Sequence, residues 1–155
     1  MPTSGQARST TPGRGLTSLE APGFVVDSWT IVLGLFALGN LANGIWMLAD
    51  PPHWYQNLPA GVPDFGPLNE HFIRDIGCIF VLLGLGLAVG AFVPRWRVVA
   101  CGAAAAFSVL HALVHVADTL RGLVGPEHWR IDLSGVYVPA LVLTAVTWVL
   151  ARRGD

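Results

Sequence analysis

The chain has 155 residues, of which 53% are apolar and 12% charged, and a mean hydropathy of +0.56, a composition that calls for the bilayer as solvent rather than water. Lys is absent, the basic residues are all Arg and the formal net charge is -1, so no basic field gathers nucleic acid and nucleic acid is excluded as a main partner. Cys78 and Cys101 are too few for a disulfide framework and fall near opposite ends of two expected helices.

Residues 1–22 are rich in Ser, Thr, Gly and Pro and carry Arg8 and Arg14 without an apolar run. They read as a disordered cytoplasmic tail without a signal-peptide core. Residues 23–152 then hold apolar stretches at about 25–49, 70–93, 98–120 and 132–151, each long enough to cross a hydrocarbon core of roughly 30 Å. Backbone groups in lipid must be satisfied within their own segment, so each stretch is expected to be a helix and the fold an all-α integral membrane four-helix bundle.

The segment 50–69, PPHWYQNLPAGVPDFGPLN after Asp50, is too Pro-rich to span and too aromatic to float in water. It is expected to lie as a lid on the outer membrane surface, with Asn69 capping the second helix and Glu70 stabilising the positive end of its dipole. The turn Pro94-Arg95-Trp96-Arg97 makes the second and third helices antiparallel neighbours, and Gly84, Gly86, Gly90 and the run from Gly102 to Ala106 offer small residues for their close approach. Pro139 is expected to kink the fourth helix.

Short cytoplasmic loops carry the excess of positive charge. Arg8, Arg14, Arg95, Arg97, Arg152 and Arg153 fall on one side of the four spans, whereas Arg74, Arg121 and Arg130 on the other are accompanied by acidic residues. A multi-pass protein of the inner (plasma) membrane with both termini in the cytoplasm follows as the expectation, and the tryptophans fall near the interfaces as anchors should.

All five histidines then lie in the outer half. On the third helix His111, His115 and Asp118 share one stripe at i, i+4, i+7, and on the second His71, Asp75 and Cys78 repeat that spacing. At 1.5 Å per residue, Asp75 and His115 both lie roughly 8 Å below the outer end and Cys78 and His111 roughly 13 Å below it. An ionised Asp near the bilayer centre costs on the order of 3 kcal/mol, and a divalent transition metal, Zn, Fe, Mn or Cu, would compensate a buried carboxylate. The expected ligands are His111, His115 and Asp75, then Asp118 and His71, with Asn40, Asn43 and Tyr137 orienting them. Haem b between His71 or a loop histidine and His111 or His115 ranks below a non-haem metal, for want of a haem motif. Structural hydrogen bonding, through Asp118 with Arg121 or Glu70 with Arg74, competes with these readings, and so does a proton or ion path.

The stretches PLNEHFIRDIG (Pro67 to Gly77) and HALVHVADTL (His111 to Leu120) resemble segments of small four-helix bacterial membrane proteins of the DoxX-like kind. The resemblance implies a four-helix bundle and, more faintly, a link to quinone or thiol redox chemistry. It carries no catalytic motif to individual residues. The expected function is a metal-dependent membrane oxidoreductase, with a transport protein or an accessory subunit of a membrane complex as the rivals. Expected partners are the lipid bilayer, a small lipophilic substrate or quinone, and a second copy or another membrane protein.

Overall fold

The computed structural model describes residues 23–153, and the N-terminal tail expected at 1–22 lies outside them. The chain is an all-α membrane bundle with no strand among the described residues, and four of its helical runs are long and apolar enough to cross a bilayer. These are α1 (Ser28–Ala49), α3 (Glu70–Phe92), α4 (Arg97–Leu120, preceded by a 3-10 turn from Pro94) and the run His128–Arg153. The last run is composite: α5 (His128–Asp132), a π turn (Leu133–Tyr137) and α6 (Val138–Arg153). Side chains such as Ile31, Leu82, Leu110 and Leu141 stay more than 60% exposed, as lipid-facing residues of a spanning helix do.

Successive spans run antiparallel. The tightest packing joins α1 to α3, where glycine makes it possible: a Cβ on Gly44 would sit 2.8 Å from the Gly77 carbonyl, and one on Gly84 2.7 Å from Leu41. Gly84 therefore serves the α1 contact rather than the expected α4 contact, which rests instead on Gly90 against Ala100. The end of the bundle that holds both described termini is filled by one apolar core, including Leu33, Leu87, Cys101, Leu143 and Leu150. At the other end a cavity separates the α1–α3 pair from the α4–α6 pair, so that the pairs diverge, and among the described residues no extensive contact between α1 and α6 closes the ring.

Asp27 caps α1 by accepting from the Thr30 backbone, and its carboxylate pairs with Arg97 at 2.8 Å. Arg97 is 2% exposed, so this arginine of the expected hairpin turn is a buried staple. Its side-chain hydrogen bonds hold the Asp27 carboxyl below the usual carboxylate range, helped by the Thr30 N–H.

The segment after α1 forms α2 (Pro51–Asn57) and a 3-10 turn (Val62–Phe65), whose residues help line the space between the spans and are called the lid. Asp50 caps α2, and Trp54 anchors it by donating from Nε1 to Oδ1 of Asn43 on α1 at 2.8 Å. Asn69 caps α3 as expected, accepting from the Phe72 N–H. Pro139 lies two residues after the π turn ends at Tyr137, and the Val138 N–H reaches back to the Leu133 carbonyl.

Candidate functional site

Between the diverging helix pairs lies a cavity of about 830 Å³, within the range that takes a small organic ligand. Its wall is mainly apolar, with Phe36, Met47, Ile76, Phe80 and Phe107 among the lining side chains. The polar side chains on it are fewer and include Asn40, Asn43, His111, His115, Asp118 and Asp132.

The expected stripe on α4 does face this space, because His111, His115 and Asp118 all line it. The His111 ring stacks on Phe107 and meets His115 edge to face, with 4.5 Å between the imidazole centroids. Asn40 lines the cavity while Nδ2 donates to the Phe36 carbonyl of its own helix at 2.8 Å, and Asn43 is engaged with Trp54.

The α3 stripe does not join it. His71 and Asp75 lie 3.5 Å from each other with side chains 89% and 59% exposed, and Cys78 is exposed as well. Depth along a helix can be counted from the sequence, whereas the face turned inward depends on the neighbour. Here α3 presents Phe72, Ile73, Ile76 and Phe80 to the cavity, and each step to an adjacent residue rotates the direction by about 100°. Tyr137 also stands apart: its hydroxyl is buried without a partner and its ring stacks on Trp129, away from the cavity wall.

What the spacing argument missed is the partner of His115. Nδ1 of His115 lies 2.8 Å from Oδ2 of Asp132, a residue only 1% exposed at the junction of α5 and the π turn. The other carboxylate oxygen, Oδ1, is 3.5 Å from Nδ1 of fully buried His128, whose Nε2 is 3.2 Å from Oδ2 of Asp64 on the lid. Phe65, next to Asp64, sets its ring edge-on against both His115 and His128 at 4.8 Å. The signal for this cluster was present as His128 and Asp132 at i, i+4, but beginning the fourth helix at Asp132 left His128 in a loop and hid it.

The ligand set expected for a metal is therefore not assembled. Asp75 and His71 face away, His115 spends Nδ1 on Asp132, and among the described residues no three His, Cys, Asp or Glu side chains converge on one point. Two axial histidines for haem b are not opposed across the bundle either, since His111 and His115 share one helix and both His128 nitrogens face carboxylates. What the cavity offers is shape, an apolar wall, and an imidazole whose tautomer is fixed by a buried carboxylate, the usual arrangement of a proton donor or acceptor. Comparison with protein-family models, curated proteins and solved structures finds no match to this chain.

Proposed function

We propose that this protein binds a small lipophilic molecule with a hydrogen-bonding head, of the quinone class, in the cavity between its spans, and that His115 exchanges a proton with that head. The observation that carries the reading is an apolar cavity with His115 on its wall, held by Asp132 at 2.8 Å. With Nδ1 so engaged, Nε2 is the nitrogen left for a ligand, and it can accept or donate a hydrogen bond according to the tautomer.

Access from the bilayer fits the same reading. Gly39 on α1 and Gly135 on the π turn both line the cavity, and a Cβ on either would meet nothing within 4 Å. Space beside these two glycines is compatible with entry of a lipid-dissolved molecule between α1 and the π turn. Arg95, Arg152 and Arg153 at the opposite end favour a cytoplasmic position for the termini, which turns the cavity and its lid outward. Conduction of protons or ions through one chain is disfavoured by the apolar core that fills that end.

The test is titration of the full chain in nanodiscs with decylubiquinone, reading quenching of Trp54 on the cavity wall against a Trp54→Phe background. Saturable quenching, weakened about tenfold by His115→Leu through loss of one hydrogen bond, supports the proposal. Quenching that rises linearly and is identical in the variant overturns it.

A further inference from the structure

The buried groups behind His115 do not end at Asp132. They form a continuous series from the cavity wall to the surface: His115, 12% exposed in its side chain, then Asp132 and His128 at 0%, then Asp64 at 57%. The successive separations are 2.8, 3.5 and 3.2 Å. A carboxylate that only oriented His115 would need no second imidazole, and a buried imidazole is costly to place unless its nitrogens are used. Resting on the reading of His115 given above, we infer that these residues form a proton relay between the cavity and water, with Asp64 of the lid as its last link.

Each link can both accept and release a proton. In the starting arrangement His115 carries hydrogen on Nδ1, donated to Asp132, and His128 carries it on Nε2, donated to Asp64. When Nε2 of His115 takes a proton from the bound head, the Nδ1 proton passes to Oδ2 of Asp132. Rotation of the protonated Asp132 carboxyl about Cβ–Cγ turns that O–H toward His128, Asp132 gives this same proton to Nδ1, and His128 releases its Nε2 proton to Oδ2 of Asp64, which loses it to water. One proton enters and one leaves, every N–H or O–H bond broken is replaced by one formed, and no oxidant or reductant takes part. The 3.5 Å step between Asp132 and His128 is at the limit of hydrogen bonding and is the slow one. His111 and Asp118, the other titratable groups on the cavity wall near His115, lie outside the series.

The lid supplies the last link through backbone geometry. Gly61 has φ +59°, and a Cβ there would lie 2.9 Å from Oδ2 of Asp64 and 3.1 Å from Cε1 of His128. Only glycine takes this conformation readily and leaves room for the Asp64–His128 contact.

The experiment measures how fast the His115 ring N–H exchanges with D2O, by fast-spinning solid-state NMR on the full chain labelled with 15N-histidine in bilayers. Asp64→Asn and His128→Gln, neither of which can pass a proton on, are expected to slow exchange about a hundredfold, and Gly61→Ala to slow it in the same direction. Glu70→Gln, an exposed carboxylate paired with Arg74, leaves it unchanged. Unaltered exchange in folded Asp64→Asn protein overturns the relay, and this variant decides the matter if His128→Gln does not fold, because Asp64 is exposed. Decylubiquinone binding is measured separately on the same variants. Slowed exchange without quinone binding leaves the relay standing and removes the ligand reading; binding with unaltered exchange does the reverse.

Discussion

The guanidinium of Arg97 grips both carboxylate oxygens of Asp27, at 2.8 and 2.9 Å, across seventy residues of chain. Arg97 also donates to the carbonyls of Gly90 and Ala91, and Thr30 donates to that of Ala91, so the start of α1 is tied to the α3–α4 turn. A carboxyl held below its usual range contributes stability that is complete above the unfolded value, about 3.9, and is lost as pH falls through the lowered folded value. The melting temperature of wild type is therefore expected to exceed that of Asp27→Asn by a constant margin from about pH 7 to pH 5, and the margin to shrink only below about pH 4. Thermal unfolding in detergent at graded pH measures it, and a margin already gone at about pH 5.5 contradicts the pairing.

The α1–α3 contact yields a contrast within one helix. Gly39 and Gly44 both lie inside α1, but a Cβ meets nothing within 4 Å at Gly39 and a backbone carbonyl at 2.8 Å at Gly44. Gly39→Ala is expected to be neutral or stabilising by up to about 1 kcal/mol through helix propensity. Gly44→Ala forces the two helices apart and is expected to cost about 1–3 kcal/mol, since a carbonyl, unlike a flexible side chain, cannot step aside. Equal melting temperatures for the two variants would disprove this account of the interface.

The four spans were legible because the bilayer demands long apolar runs, and α3 begins at Glu70 after its Asn69 cap as the residues suggest. The α4 half of the site was legible for a related reason: His111, His115 and Asp118 are conspicuous on an apolar helix and share a face whatever packs against it. Asp75 was misplaced because depth does not specify direction, and direction on α3 follows from its glycine-mediated packing against α1. His128, Asp132 and Asp64 escaped because their meeting depends on a π turn, on an extra helical turn before Asp132 and on a lid fold set by Gly61, none of which has a periodic signature.

Anchoring of the lid is open to direct measurement. The Trp54 indole is 8% exposed, and its N–H donates to Oδ1 of Asn43. Asn43→Leu leaves that donor unsatisfied in an apolar setting, at a cost of about 1–3 kcal/mol. Because α2 is short and joined to α1 by a single residue, the loss is expected to appear as loosening of the lid before global unfolding. Faster proteolysis within residues 58–68, with the four spans intact, is the expected result; an unchanged cleavage rate would show that Asn43 does not hold Trp54.

Two cavity-lining carboxylates should behave oppositely on neutralisation. Asp132 is 1% exposed and has an imidazole nitrogen at 2.8 Å on one oxygen and another at 3.5 Å on the other. Asp118 lines the same space, and among the described residues no hydrogen bond or ion pair engages its side chain, including with Arg121. Replacing Asp132 by Leu strands the N–H that His115 donates from Nδ1, and an unsatisfied buried donor costs about 1–3 kcal/mol. Asp118→Leu removes no bond and places apolar surface on a largely apolar wall, so its effect on folding is expected to stay within about 0.5 kcal/mol. Reversible unfolding of the two variants in the same detergent separates the cases. A similar cost for both would mean that the His115–Asp132 contact contributes little to the fold, and that Asp132 remains buried for the sake of the cavity's chemistry alone.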